Sequence, residues 1–262
     1  MGWLRLGSAC IVIAACGRLG FEPIGGDAAL SGDADGDVVF VPSCEPRPGA
    51  LFWTTLDDLA AVEQPAIGSP NGTSATSQSF VGGRCGNGLQ LDTPGEVIEI
   101  DQVDGGFSHF DFATGALEWW YRPLYTITDG GEHRLFGCTD AQQGGIRIGK
   151  RPATDGNVFA VDVSATNGSQ SRTAVPSSGV PFEAGVWVHI SVSWDFTVAV
   201  GARHVRILFD GIEPAYAERG TGAMSLPSAA DSESCFVGGF DIDDTDSALG
   251  VFDEVVVYPT PR

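Results

Sequence analysis

Two stretches of this sequence place aromatic, acidic and basic side chains on one side of what reads as an extended chain. In residues 115–123, Leu117, Trp119 and Tyr121 alternate with Glu118, Trp120 and Arg122. In residues 185–195, Val186, Val188, Ile190, Val192 and Trp194 alternate with Trp187, His189, Ser191, Ser193 and Asp195. A period of two is the mark of a strand with one face in the core and one outside it. The more apolar sets claim the core, which leaves Trp120, Trp187 and His189, with Glu118 and Arg122, on the outer face. Flat rings beside charged groups suit sugar binding, because rings stack on pyranose C–H faces and charged groups fork onto hydroxyls. The plainer alternative is that these rings pack under a loop, as buried tryptophans usually do. Trp120 joins Trp187 only if both stretches lie in one sheet, and a β-bulge at Trp119–Trp120 would break the parity.

Catalytic constellations are missing from the sequence. A two-carboxylate glycosidase needs acids that converge from alternate positions of a strand. Glu96 and Glu99 are three apart, and Asp253 and Glu254 are adjacent, so regular strands would send both pairs to opposite faces. No nucleophile elbow, zinc-protease helix or phosphate loop occurs. His109, His133, His189 and His204 stand in no recognisable arrangement with a Ser or Cys nucleophile. The expectation is a non-catalytic recognition module for a carbohydrate. The alternative is a module for protein adhesion or scaffolding in the envelope, without a small-molecule ligand.

The elements that must position these residues read as many short strands. Apolar-alternating runs recur from about residue 49 to residue 258, punctuated by Gly, Pro, Asn and Asp, with no sustained helical period. That pattern predicts an all-β, two-sheet antiparallel sandwich with few, short helices. After the 185–195 strand, residues 204–209 and 212–218 flank Asp210-Gly211, which predicts a tight hairpin, with Pro214 marking an edge or a bulge. The run from Trp187 to Asp195 followed by Leu208-Phe209-Asp210-Gly211 resembles the central strands of laminin G-like domains, which are concanavalin A-like jelly rolls. Residues 86–100, Trp120 with Arg122 and Pro123, and 236–258 resemble further motifs of that family in the same order. The resemblance implies a jelly roll. It also implies calcium held by Asp side chains and loop carbonyls, with Asp57 and Asp253 the expected ligands. Asp58, Asp92, Asp241, Asp243, Asp244 and Asp246 are the other acids at strand ends or in the loop before the last strand.

The N-terminus carries Arg5, then a short apolar run ending Ile13-Ala14-Ala15-Cys16. It is too short to span a bilayer and reads as a cleaved signal of residues 1–15. Its end resembles a bacterial lipobox, which implies lipidation at Cys16; plain secretion after cleavage is the alternative. Cys10 is a poorer candidate, because Gly7 stands where a branched apolar residue belongs. Residues 16–43 read as an acidic flexible linker, and 44–262 as the jelly-roll domain. Asp33, Asp35 and Asp37 alternate as in a calcium loop, but the twelfth position is Cys44 rather than an acid. The location expected is the cell envelope, at the outer membrane or cell surface, with the membrane touched only through the lipid anchor.

The net charge of −20 argues against a nucleic acid or an anionic membrane surface as a partner. Four cysteines remain for the folded part, Cys44, Cys85, Cys138 and Cys235. In an exported chain they read as two disulfides with three possible connectivities. The pairing expected is Cys44–Cys85, fastening the segment before the first strand, and Cys138–Cys235, joining a middle strand to a late one. Feeding cells a fatty-acid analogue should label the wild-type protein and leave a Cys16→Ser variant unlabelled.

Overall fold

A computed structural model describes residues 43–262, except 69–71, 75–77, 102, 105–106, 109–110, 141–143, 166–167, 200–201, 221–223, 225, 227–231, 241–245 and 247, together with 31–32 and 38–39. Cys16, the signal-like run, Asp33, Asp35, Asp37, His109, Asp241, Asp243 and Asp244 lie outside the described residues.

Among the described residues, fifteen strands build two antiparallel sheets. In chain order they are β1 (Phe52–Thr54), β2 (Gly72–Ser74), β3 (Ser79–Gly82), β4 (Asn87–Leu91) and β5 (Ile98–Asp101). Then follow β6 (Thr114–Pro123), β7 (His133–Asp140), β8 (Gly145–Lys150), β9 (Phe159–Ser164) and β10 (Gln170–Val175). The last five are β11 (Val188–Asp195), β12 (Val205–Phe209), β13 (Ala217–Gly220), β14 (Ser232–Val237) and β15 (Gly250–Tyr258). The first sheet runs β12-β11-β6-β15-β4-β3, with β1 also paired to β15. The second runs β13-β10-β9-β8-β7-β14-β5-β2. This is the all-β sandwich expected, and its one described α-helix is the five-residue Leu59–Glu63. Asp58 is that helix's N-cap, its Oδ1 accepting from the Ala61 N–H at 2.9 Å, rather than a strand-end acid.

The apolar alternation decides which face of each strand meets the core. Leu117, Trp119 and Tyr121 of β6, and Val188, Ile190, Val192 and Trp194 of β11, all enter the principal buried cluster. Phe252, Val255 and Val257 of β15 join them from the same sheet. Ile146, Ile148, Val161 and Val163 face them from the second sheet. Tilted contacts of Tyr121 with Phe182 and Phe252, with centroids 5.6 and 4.9 Å apart, help fill that layer.

Three details depart from the sequence reading. The central strand starts at Val188, and Val186 is half exposed beyond its end. The hairpin at Asp210-Gly211 is confined to one bridge between Phe209 and Ile212. The chain then leaves the first sheet through Pro214, and Ala217–Gly220 pairs with β10 on the second. Strands β2, β3 and β10 carry no clear apolar period; β10 turns Ser171 and Thr173 inward with Val175, so its buried face is polar in sequence.

The only lysine in the sequence is used inside the fold. Lys150 is fully buried, and its Nζ donates to Asp129 Oδ1 at 2.5 Å, Asp129 O at 2.6 Å and Gly131 O at 2.5 Å. An ammonium has three donors, and here all three are met. The cage holds the 124–132 loop against the start of β7, where Asp129 Oδ2 also bonds His133 Nε2 at 2.7 Å. Lys150→Ala would strand two carbonyls and one side of a carboxylate. It should cost at least about 2 kcal/mol, below the 3–5 kcal/mol of a fully buried pair because Asp129 is partly solvated, and denaturant unfolding would measure it.

Candidate functional site

The five residues singled out for sugar binding occupy three consecutive cross-strand positions on the outer face of the β6–β11 pair. Glu118 lies opposite Ser191 and Trp120 opposite His189. Continuing the same register sets Arg122 opposite Trp187. The two stretches therefore share a sheet, which the sequence left open. A bulge does occur here, but on β15: the register of β6 against β15 shifts between Glu118 and Trp120, while that against β11 is unbroken. Parity along β6 survives for that reason.

The inner two positions are not exposed, so the open outer face expected there is not formed, and the alternative of rings packed under cover describes them. Glu118 and Trp120 are each 5% exposed and His189 6%. Segments distant in sequence cover them. Arg47 Nη2 meets Glu118 Oε1 at 3.0 Å, and Ser191 Oγ donates to the same oxygen at 3.2 Å. The Arg84 guanidinium stands 4.9 Å from the centre of the Trp120 ring, and His189 packs edge-on against that ring at 5.1 Å. Burial raises the pKa of Glu118, which Arg47 partly offsets. Burial, reinforced by the Arg47 charge, lowers that of His189 to about 3, so the imidazole is neutral at physiological pH. Trp120 Nε1 is buried without a hydrogen-bond partner.

The outermost position differs. Trp187 and Arg122 are only partly buried, and the guanidinium lies 5.0 Å from the indole centre. Leu124 and Val186 flank them as exposed apolar residues, and the Gly185 N–H donates to Pro123 O at 2.8 Å, holding the two loop ends together. An apolar ring edge, a cation and a solvent path meet at this end of the sheet.

Asp57 and Asp253 are brought to one turn, residues 83–87. Asp253 Oδ2 accepts the N–H groups of Arg84 at 2.7 Å and Cys85 at 2.8 Å, while Asp57 Oδ1 accepts that of Asn87 at 2.7 Å. Gly83 and Gly86 make the close approach possible: a Cβ on either would lie within 2.6 Å of one of these carboxylates. Asp253 is fully buried and its Oδ1 has no partner. Glu254, expected to diverge, is the bulged residue on β15 with φ +54°, and it stays on the outer face beside Asp253. Its Oε2 accepts from Trp53 Nε1 at 2.5 Å. Burial, together with the neighbouring acids, pushes Asp253 up to about 7 and Glu254 up to about 8. Among the described residues no three His, Cys, Asp or Glu side chains form a set able to hold a metal. An ion here would have two aspartates, and main-chain oxygens or water would complete its shell.

The cysteines pair as expected. Cys44 joins Cys85 in that same turn, and Cys138 joins Cys235 across the β7–β14 ladder. Asp246, outside the metal group, pairs with Arg134 at 3.0 Å, and Asp92 Oδ2 accepts from the Gln90 side chain at 2.5 Å. Sequence reasoning missed Arg47, Arg84 and Glu254. Their proximity to Cys44, to Cys85 and to Asp253 is the only signal the sequence holds for them.

A family model, Laminin G 3, described as the concanavalin A-like lectin/glucanases superfamily, matches residues 101–262. Comparison with curated protein sequences gives no match. Among solved structures, the binding domain of Paraclostridial Mosquitocidal Protein 1 is similar, with TM-score 0.59 and 12% identity over 82% of this chain and 49% of that one. The binding domain of botulinum neurotoxin DC in complex with SialylT gives TM-score 0.59 and 6% identity over 82% and 49%. The receptor binding domain of botulinum neurotoxin type G gives TM-score 0.56 and 12% identity over 82% and 48%. The chain spans about half the length of these structures, and at such identities the likeness is one of fold.

The two tryptophans should separate on mutation. Trp120→Ala empties a buried site and should cost about 3–5 kcal/mol. Trp187→Ala should cost about 1 kcal/mol or less, because its ring is partly solvated. Urea unfolding of both variants checks the difference.

Proposed function

This chain belongs to the concanavalin A-like lectin/glucanases superfamily, and from that premise we propose that it is a non-catalytic module that binds a glycan at the outer face of its first sheet. The observation that carries the reading is the partly solvated Trp187 ring with Arg122 at 5.0 Å. That pair offers a partly solvated indole, one face of it occupied by the guanidinium, with a fork of donors beside it, groups suited to pyranose C–H faces and hydroxyls. The binding-domain character of the similar toxin structures, one in complex with SialylT, supports the same class. One observation favours the rival reading, a module for a protein partner or for scaffolding: Trp120, Glu118 and His189 are under cover.

The proposal extends to location. Lipidation at Cys16 would tether the module in the cell envelope, and two disulfides suit an exported, oxidising compartment.

Calcium at Asp57 and Asp253 is the last part of the reading, and the buried Asp253 Oδ1 without a partner supports it. Bound there, a divalent ion would supply positive charge to acids that otherwise repel one another.

On a glycan array the wild-type domain should be retained by a subset of sugars. Trp187→Ala and Arg122→Ala should each weaken retention at least about tenfold while melting stays near wild type. Retention by no glycan would favour the rival. For calcium, pH supplies the test. The folded pKa values of Asp253 and Glu254 are raised, so the folded chain binds protons that the unfolded chain has released. Their stabilising contribution is therefore present at low pH and lost as pH rises through about 7 and 8. His189 acts oppositely, but its contribution is complete above its unfolded value of about 6.5. With chelator, the melting temperature should thus fall from about pH 6.5 to about pH 8. Calcium should cancel that fall, and identical curves with calcium and with chelator would remove the ion from the reading.

A further inference from the structure

We propose that residues 45–50 form a displaceable strap that keeps the inner part of the sugar-binding face shut. This rests on the glycan reading of that face and adds a control to it. The strap runs between two fixed points. Cys44 is bonded to Cys85, and the Leu51 N–H donates to Val257 O at 2.8 Å, where the chain joins the first sheet. Between them polar contacts tie it to the first sheet and to the C-terminal arginine. Arg47 Nη2 reaches Glu118 Oε1 at 3.0 Å, the Arg47 N–H donates to the Tyr258 hydroxyl at 3.0 Å, and Arg262 Nη2 donates to Pro48 O at 2.7 Å. Glu45, Pro48 and Gly49 are exposed. Ala50 packs on the small outer cluster of Ala116, Val256 and Tyr258.

What lies beneath is poorly suited to permanent burial. Glu118 is a buried carboxylate with Ser191 beside it, and the next cross-strand pair, Trp120 and His189, is roofed by Arg84, whose turn the Cys44–Cys85 bond ties to the strap; the Trp120 indole N–H has no acceptor. Leaving a donor unmet in the interior costs more than a made hydrogen bond gains, so the closed face carries a standing penalty. Water or sugar hydroxyls would satisfy the same groups. The side chain that holds the cover down, Arg47, is 33% exposed, so its ion pair with Glu118 is weakened by solvent and salt.

Six residues between fixed ends can bow outward without unpairing either end. A glycan seated on Trp187 and Arg122 extends along the β6–β11 pair toward Trp120 and Glu118. Its hydroxyls then compete with Arg47 for the carboxylate. In the closed state the full face is populated only in part, and apparent affinity falls by that fraction. Loosening the strap therefore strengthens binding, whereas a side chain that contacts ligand weakens it when removed.

The experiment uses the folded chain labelled with 5-fluorotryptophan, with the Trp120 fluorine signal assigned through Trp120→Phe, and a mixed glycan array as the probe. Arg47→Ala should give the Trp120 signal a solvent isotope shift absent from wild type. It should also tighten array retention about fivefold, the equivalent of losing an ion pair worth about 1 kcal/mol. Arg47→Lys should restore both toward wild type. The Cys44→Ser/Cys85→Ser double variant, which frees one end of the strap, should expose Trp120 as well. If the signal becomes solvent-exposed and no glycan is retained by any variant, the strap stands and the glycan reading fails. If Trp120 stays dry in folded Arg47→Ala, the strap is overturned, whatever the array shows; weakened retention in that variant overturns it too.

Discussion

A carboxylate with no solvent contact must find donors inside the protein, and Asp253 finds them in the backbone of residues 84 and 85. That requirement organises one side of the molecule. The turn comes close enough only because Gly83 has no Cβ, which would otherwise sit 2.3 Å from Asn87 O. Once pinned, the turn aims Arg84 across the Trp120 ring and holds Cys85 where Cys44 can reach it. The segment after Cys44 then lies across Glu118. A single buried acid on β15 thus fixes the roof over a neighbouring strand pair.

The few positive charges of this acidic chain are spent largely on rings. Arg84 covers Trp120, Arg122 covers Trp187, Arg203 covers Tyr216 and Arg262 covers Tyr258. Arg134, Arg147 and Arg151 all lie within 6 Å of the Phe240 ring centre on the second sheet, where Gly137 leaves room for that ring. A planar guanidinium can lie flat on an aromatic surface while its edge bonds carboxylates, and Arg151 does both with Glu132 and Asp162. The one ammonium is used where a point charge fits, inside the oxygen cage of Lys150.

Alternation carried most of what could be read from the sequence. It assigned Leu117, Trp119 and Tyr121 to the core and Glu118, Trp120 and Arg122 to the other side, because a strand offers a side chain only two directions. It could not say whether the second side met water. That depends on segments tens of residues away, 43–50 and 83–87, whose docking is polar and leaves no period. The bulge at Glu254 was hidden for a related reason: one extra residue inverts local parity, so acids expected on opposite faces share one. The return from Asp210-Gly211 looked like a hairpin because its turn chemistry is that of one. Past Ile212 the chain crosses to the other sheet, an outcome set by the free edge of β10. Strand β10 itself was invisible, since Ser171 and Thr173 face inward.

The Cys44–Cys85 bond also decides how force would travel through the molecule. Tension arriving along the chain from residue 43 reaches the sulfur bridge before it reaches Arg47. It passes directly to the turn between β3 and β4, two strands held by hydrogen-bonded ladders at one edge of the first sheet. The covering segment lies in a slack side-loop of that path. A molecule tugged from its N-terminal side would keep its roof in place, and the load would be borne by covalent sulfur and by paired strands.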